Sequence, residues 1–206
     1  MKLAIATSFA LIGASLAAVA EPLDTRAITQ TKTLNATLRC DFLVTTGANF
    51  NNRTFALDAT VQLPQSVDAG QPFNLTASFR LTNELSYIRT LLHALGGRTL
   101  GGVVSKLVVN AAGSNPASIN AAAKKPITIT NVTLDAGSSL PVLSFPLKGK
   151  VLSVGPFSAT SSKPVVFSFG DMIANLTLWN ETTKLDYPYN IYCPPQTRLT
   201  TIATVA

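Results

Sequence analysis

Hydrophobic and polar positions alternate along most of this chain. In "TLNATLRC", Leu34, Ala36, Leu38 and Cys40 share one face while Asn35, Thr37 and Arg39 share the other, the period-two signature of a half-buried β-strand. "ALDATVQLP" repeats the split with Leu57, Ala59, Val61 and Leu63 inward, and "PFNLTASFRLT" repeats it with Phe73, Leu75, Ala77, Phe79 and Leu81 inward. Between those two runs Pro64, Gly70 and Pro72 supply turn residues, so the segment predicts a strand, a turn and a strand. The same criteria predict strands over 102–110, 127–134, 147–154, 163–169, 172–179, 187–192 and 198–205, with Gly-, Pro-, Ser- and Asn-rich connections. In "ITITNVTL" the parity shifts midway, which leaves the direction of Asn131 open. One stretch has helical spacing instead. "NELSYIRTLLHALGG" places Leu85, Ile88, Leu92 and Leu95 three and four apart, with Asn83 as N-cap and Gly96-Gly97 as a stop, which predicts a short helix over about 84–95. Many short strands, one helix and no βαβ alternation predict an all-β protein, an antiparallel immunoglobulin-like or Greek-key β-sandwich.

The ends add a destination. Lys2, an apolar run from Leu3 to Leu16 and the ending Ala18-Val19-Ala20 have the layout of a secretory signal peptide over 1–20. That run is shorter than the roughly 20 apolar residues a membrane-spanning helix needs, and no later segment predicts a transmembrane span. Residues 21–30 read as a loose leader and 31–206 as a single β-sandwich domain. A secreted, extracellular protein, free or associated with the cell wall, is expected. The two cysteines, Cys40 and Cys193, predict one bridge in an oxidising compartment.

Composition changes the picture of the surface. Charged residues are 13% of the chain, where about 25% is usual, so something else must hydrate it. Six Asn-x-Thr acceptors, Asn35, Asn52, Asn74, Asn131, Asn175 and Asn180, predict N-linked glycans on an exported eukaryotic chain. The net charge is +6, but Lys and Arg are spread from Arg26 to Arg198 without a basic, aromatic-interleaved face, which argues against a nucleic-acid partner.

Reactive constellations are scarce. His93 is the one histidine and falls on the polar side of the expected helix, without a G-x-S-x-G elbow. The ten carboxylates are scattered. A glycosidase needs two held at a defined separation, for which Asp171 with Asp186 is the example to check in space. "GGRTLGGVVSK" fails the phosphate-binding pattern because Gly102 stands where Lys is required. Two distant thiols and one histidine do not make a metal site. No enzyme activity, cofactor or metal is therefore expected. Trp179, the one tryptophan, falls on the polar parity of its strand. Beside "YPYNIY" it suggests a platform of Trp179, Tyr187, Tyr189 and Tyr192 for a sugar ring or a protein partner.

The order of these features resembles a known family. Cys40 opens the first strand region, "LPQSVDAGQPFNLTASFRL" is a strand, a P-x-S-V-x-x-G-x-P turn and a strand, and "LLHALGGRTLGG", "LPVLSFPL" and "GPFSATSSKPVVFSFGDMIANLTL" follow, with Cys193 just before the last strand. Over about 38–205 this is similar to a family of secreted β-sandwich domains of unknown function, common in actinobacteria. The resemblance implies an immunoglobulin-like sandwich and a Cys40–Cys193 bridge, and it implies no catalytic residue. The basic charge and the sequons depart from that family and suggest a eukaryotic relative, for example a fungal one. The function expected is a secreted, glycosylated, non-enzymatic binding or surface module, with a glycan, cell-wall or protein partner. The alternative is a secreted lipid carrier with an apolar cavity between the sheets.

Overall fold

In a computed structural model of the protein, the described residues are 29–44, 49–83, 94, 96–134, 142–161, 163–195 and 201–205. The expected signal peptide, almost all of the expected helix, His93 and most of the leader lie outside them. Among these residues the chain forms twelve strands: β1 (Thr29–Val44), β2 (Asn49–Pro64), β3 (Pro72–Asn83), β4 (Gly97–Ala112), β5 (Ser114–Asn115), β6 (Ser118–Asn120), β7 (Ile127–Thr133), β8 (Val142–Phe145), β9 (Leu152–Ala159), β10 (Val165–Asn180), β11 (Leu185–Cys193) and β12 (Thr201–Val205). They join one antiparallel sheet in the order β5-β9-β3-β2-β1-β11-β10-β4-β6, with β12 paired to β10, β7 to β4 and β8 to β3.

The sheet is nearly closed, because its two ends are neighbours in the chain. β4, which carries the end strand β6, passes through Gly113 directly into β5 at the other end. Gly113 takes φ +87°, and its carbonyl accepts a hydrogen bond from Thr160 N at 2.9 Å. Ser114 Oγ donates to Ala111 O at 3.0 Å and to Pro116 O at 2.8 Å. A second tie spans the other edges, where Lys148 N in the β8–β9 turn donates to Thr130 Oγ1 of β7 at 3.1 Å.

Alternation places the core as expected in β2 and β3, where Leu57, Ala59, Val61, Leu63, Phe73, Leu75, Ala77, Phe79 and Leu81 are all buried. Aromatic rings then fill the interior, along the β3–β8 ladder and between strands that are not ladder neighbours. Phe167 of β10 meets Phe73 of β3 at 6.1 Å and Phe157 of β9 at 5.4 Å, both edge-on. Phe79 stacks on Phe145 at 5.2 Å and meets Phe169 edge-on at 5.6 Å, geometries that ring quadrupoles favour.

Several boundaries differ from expectation for identifiable reasons. The two strands expected over 163–169 and 172–179 are one 16-residue strand, β10. Buried parity switches from Phe167 and Phe169 to Met172 and Ala174, which in sequence looks like a break. In space it is a register shift between Phe169 and Met172, a β-bulge within a continuing ladder. The strand expected over 147–154 is instead a turn followed by β9: Lys150 N donates to Leu147 O at 2.8 Å, and Gly149 takes φ +79°, as a type II turn requires. The leader ends earlier than expected, since Thr29 and Gln30 already pair with Pro64 and Leu63.

The Cys40–Cys193 bridge is formed, with Cα atoms 4.1 Å apart. It links β1 to β11 beside a ladder that runs only from Asp41↔Tyr192 to Val44↔Tyr189. Among the described residues that short ladder is the one pairing between the β1–β2–β3 side and the β11–β10–β4 side along the main strand order, so the bridge reinforces a narrow seam.

Candidate functional site

The site begins with parity in β10. Met172, Ala174, Leu176 and Leu178 are buried, and Asn175, Thr177 and Trp179 face outward. Trp179 is 37% exposed, which is high for a large aromatic side chain that is mostly buried on average. Its pairing partners are Thr99 on β4 and Asp186 on β11, so a hydroxyl and a carboxylate flank the indole at cross-strand distance. One step along the same face, Thr177 pairs with Gly101. These residues, with Gly102 and Asn131, line an open cleft of about 140 Å³.

Glycine shapes the floor. A Cβ on Gly101 would come within 1.8 Å of Asn131 Oδ1, so the Asn131 amide lies directly over the bare Gly101 backbone. Gly102 takes φ +144°, and a Cβ there would meet Asn175 O at 2.1 Å. Only glycine permits that approach of β4 to β10. Gly102→Ala is therefore expected to cost more than about 1 kcal/mol, read as a lower denaturant midpoint. A midpoint equal to that of the parent protein would contradict the tight approach.

The parity shift that left Asn131 open is a bulge. Leu100 pairs with Val132 and Gly102 with Ile129, so β7 carries one residue more than β4 between the same two rungs. Ile129 is buried and Asn131 and Thr133 are exposed. The extra residue turns Asn131 outward, the re-aiming that bulges produce.

The opening of the next turn is held by Asn180. Its Oδ1 accepts hydrogen bonds from Thr182 N at 2.9 Å and Thr183 N at 3.0 Å, an Asx-type cap. Glu181 N donates to Gly96 O at 3.0 Å, and Gly96 takes φ +80°. Asn180 is only 5% exposed, whereas Asn35, Asn52, Asn74, Asn131 and Asn175 are exposed. The two acceptors on either side of Trp179 thus differ: Asn175 faces solvent, and Asn180 is a buried turn cap.

The four-aromatic platform is not assembled. Because Trp179 pairs with Asp186, even-numbered positions of β11 share its outer face, and from Tyr187 onward odd-numbered ones point inward. Tyr189 is buried and stacks on Phe42 at 5.6 Å. Tyr187 packs half-buried against the core, and its hydroxyl lies 3.3 Å from Thr183 Oγ1 as donor. Tyr192 does face outward, but it pairs with Ile173, roughly 20 Å along the strand from Asp186. The parity of Tyr187 and Tyr189 with Ile191 and Cys193 was the available signal for their inward direction. Thr177 shares the outward parity of Trp179 two positions away, whereas Thr99 and Gly101, which complete the cleft, carry no local signal, since strand pairing alone brings them beside Trp179.

Burial pushes the Tyr189 phenol above its ordinary range, and the neighbouring Tyr187 adds to this. Lys106 is raised by its hydrogen bond and charge contact with Asp171. That ion pair also answers the carboxylate question. Asp171 belongs to Lys106, near the β10 bulge, and Asp186 lies in the cleft, roughly 25 Å away along the sheet. A glycosidase pair sits within about 10 Å, so these two acids do not form one. Among the described residues no group of three or more His, Cys, Asp or Glu is gathered to hold a metal ion. Nor, among them, is any helix long and apolar enough to cross a membrane. Comparison with protein-family models, curated proteins and solved structures found no match to the chain.

Proposed function

We propose that this protein is an exported, N-glycosylated, non-enzymatic binding module, and that its Trp179 cleft takes a sugar ring from a glycan or cell-wall polysaccharide. The observation that carries this is an indole left 37% exposed in an open cleft, bordered by the hydroxyls of Thr99 and Thr177, the Asn131 amide and the Asp186 carboxylate. A pyranose has an apolar C–H face and a rim of hydroxyls. Its face suits the electron-rich indole, and its rim suits short polar groups that both donate and accept. The bare backbone at Gly101 lets the Asn131 amide pack onto β4 and so stand in the cleft wall.

The bridge supports export, because disulfides persist in oxidising compartments. A layered immunoglobulin-like sandwich is the architecture we infer within the nearly closed sheet, supported by β3, β8 and β9 packing their phenylalanines against those of β10. The lipid-carrier alternative draws less support. Those rings occupy the interior where an acyl chain would lie, and the cleft of about 140 Å³ is polar and smaller than the roughly 300 Å³ at which drug-sized ligand sites begin.

Binding to a panel of soluble wall polysaccharides and oligosaccharides tests the proposal. Trp179→Ala should weaken the best binder about 30-fold, as loss of a central aromatic contact does. Undiminished binding by that variant, or lipid co-purifying with a protein that binds no sugar, would overturn it.

A further inference from the structure

We infer that the cleft is built to hold the first sugar of the protein's own Asn131 glycan, so that this glycan gates access of an outside sugar to Trp179. The inference rests on reading the cleft as shaped for a sugar ring, and it adds a resident occupant and hence a regulation.

Two features that need not coincide point to it. The β7 bulge turns Asn131 out of the core and toward β4, onto the face that carries Trp179. The residue beneath its amide is Gly101, and any side chain there would strike Asn131 Oδ1. The carboxamide therefore packs against β4 in the wall of the cleft that holds the indole. Asn131 is an acceptor, followed by Val132 and Thr133, and Thr133 is exposed on the same strand. The remaining exposed acceptors, Asn35, Asn52, Asn74 and Asn175, are not among the residues lining the cleft. Of the six, Asn131 alone combines exposure with a place in the cleft wall.

The chemistry is a group transfer by the host's oligosaccharyltransferase from a lipid-pyrophosphate-linked oligosaccharide. Asn131 Nδ2 attacks C1 of the terminal N-acetylhexosamine. The C1–O bond to pyrophosphate breaks, the C1–N bond forms, one amide proton passes to the transferase's base, and the lipid pyrophosphate leaves. The new bond begins at the cleft wall, so the first ring extends into the cleft with its C–H face toward Trp179. Its hydroxyls and acetamide then meet Thr99, Thr177 and Asp186. An outside sugar finds the same contacts only when Asn131 is bare.

The test uses the full chain made in a eukaryotic secretory host, together with its Trp179→Ala and Thr133→Ala variants. Thr133→Ala abolishes the acceptor but leaves the Asn131 side chain and the cleft lining in place. Site-resolved glycopeptide mass spectrometry follows trimming of the native protein by an endoglycosidase that cuts between the first two sugars. The Asn131 glycan should be trimmed about tenfold more slowly than those on Asn35 and Asn74, and Trp179→Ala should bring it to their rate. An unoccupied Asn131, or a trimming rate that ignores Trp179, overturns the inference. Thr133→Ala should also bind panel sugars about tenfold more tightly than the glycosylated parent. Trp179-dependent protection without any panel binding by Thr133→Ala would sink the outside-ligand function and leave the resident glycan. Panel binding by Thr133→Ala without protection would do the reverse.

Discussion

Replacing Cys40 and Cys193 together by alanine should lower the unfolding free energy by about 5 kcal/mol, the loop-entropy value for a closure of this length. The bridge joins positions 153 residues apart in sequence, so its removal releases nearly the whole described chain in the unfolded state. The native side of the balance points the same way. β1 holds β2 along almost its entire length, from Thr29↔Pro64 to Leu43↔Asn49, but it holds β11 only through Asp41–Val44. Without the covalent link that short ladder must carry the seam alone. Guanidinium unfolding of the double variant, compared with the oxidised parent, measures the difference. A loss under about 1 kcal/mol would mean that residual structure in the unfolded chain already pays the closure entropy.

Phe167→Ala should cost about 3–5 kcal/mol, the range for truncating a buried aromatic. Phe167 has no exposed surface and stands between Phe73 and Phe157, so truncation opens a void bounded by rings held on two strands, β3 and β9. Those rings cannot collapse together without distorting their ladders. Phe167→Leu refills most of the volume and should cost less than the alanine variant, closer to about 1.5 kcal/mol. Equal losses for the two would show that edge-on ring contacts, and not filled volume, dominate this part of the core.

Both predictions rest on elements that were legible to different degrees. The inward set of β2 and β3 was read residue by residue, because each strand alternates cleanly between turn signals. The pairing of Cys40 with Cys193 followed from there being two thiols. The outward direction of Trp179 followed from Met172, Ala174, Leu176 and Leu178. Tyr187 and Tyr189 point inward, in parity with Cys193, because clustering in sequence does not fix side-chain direction, whereas Tyr192 faces outward as expected but far along the strand. Asn180 is one of the six expected acceptors, yet the turn it caps holds its side chain inward. Its parity with the buried Leu178 and Leu176 was the sign available.

What the sequence by itself determined is the alternation, and with it which face of each strand is oily, because side-chain direction in a strand depends only on position along that strand. Tertiary structure alone decided which strands became neighbours and in what register. The bulges in β7 and β10, the entry of Thr99, Gly101 and Asp186 beside Trp179, and the separation of Asp171 from Asp186 all belong to that second level. Register is set by contacts between residues far apart in the chain, and no local pattern records it.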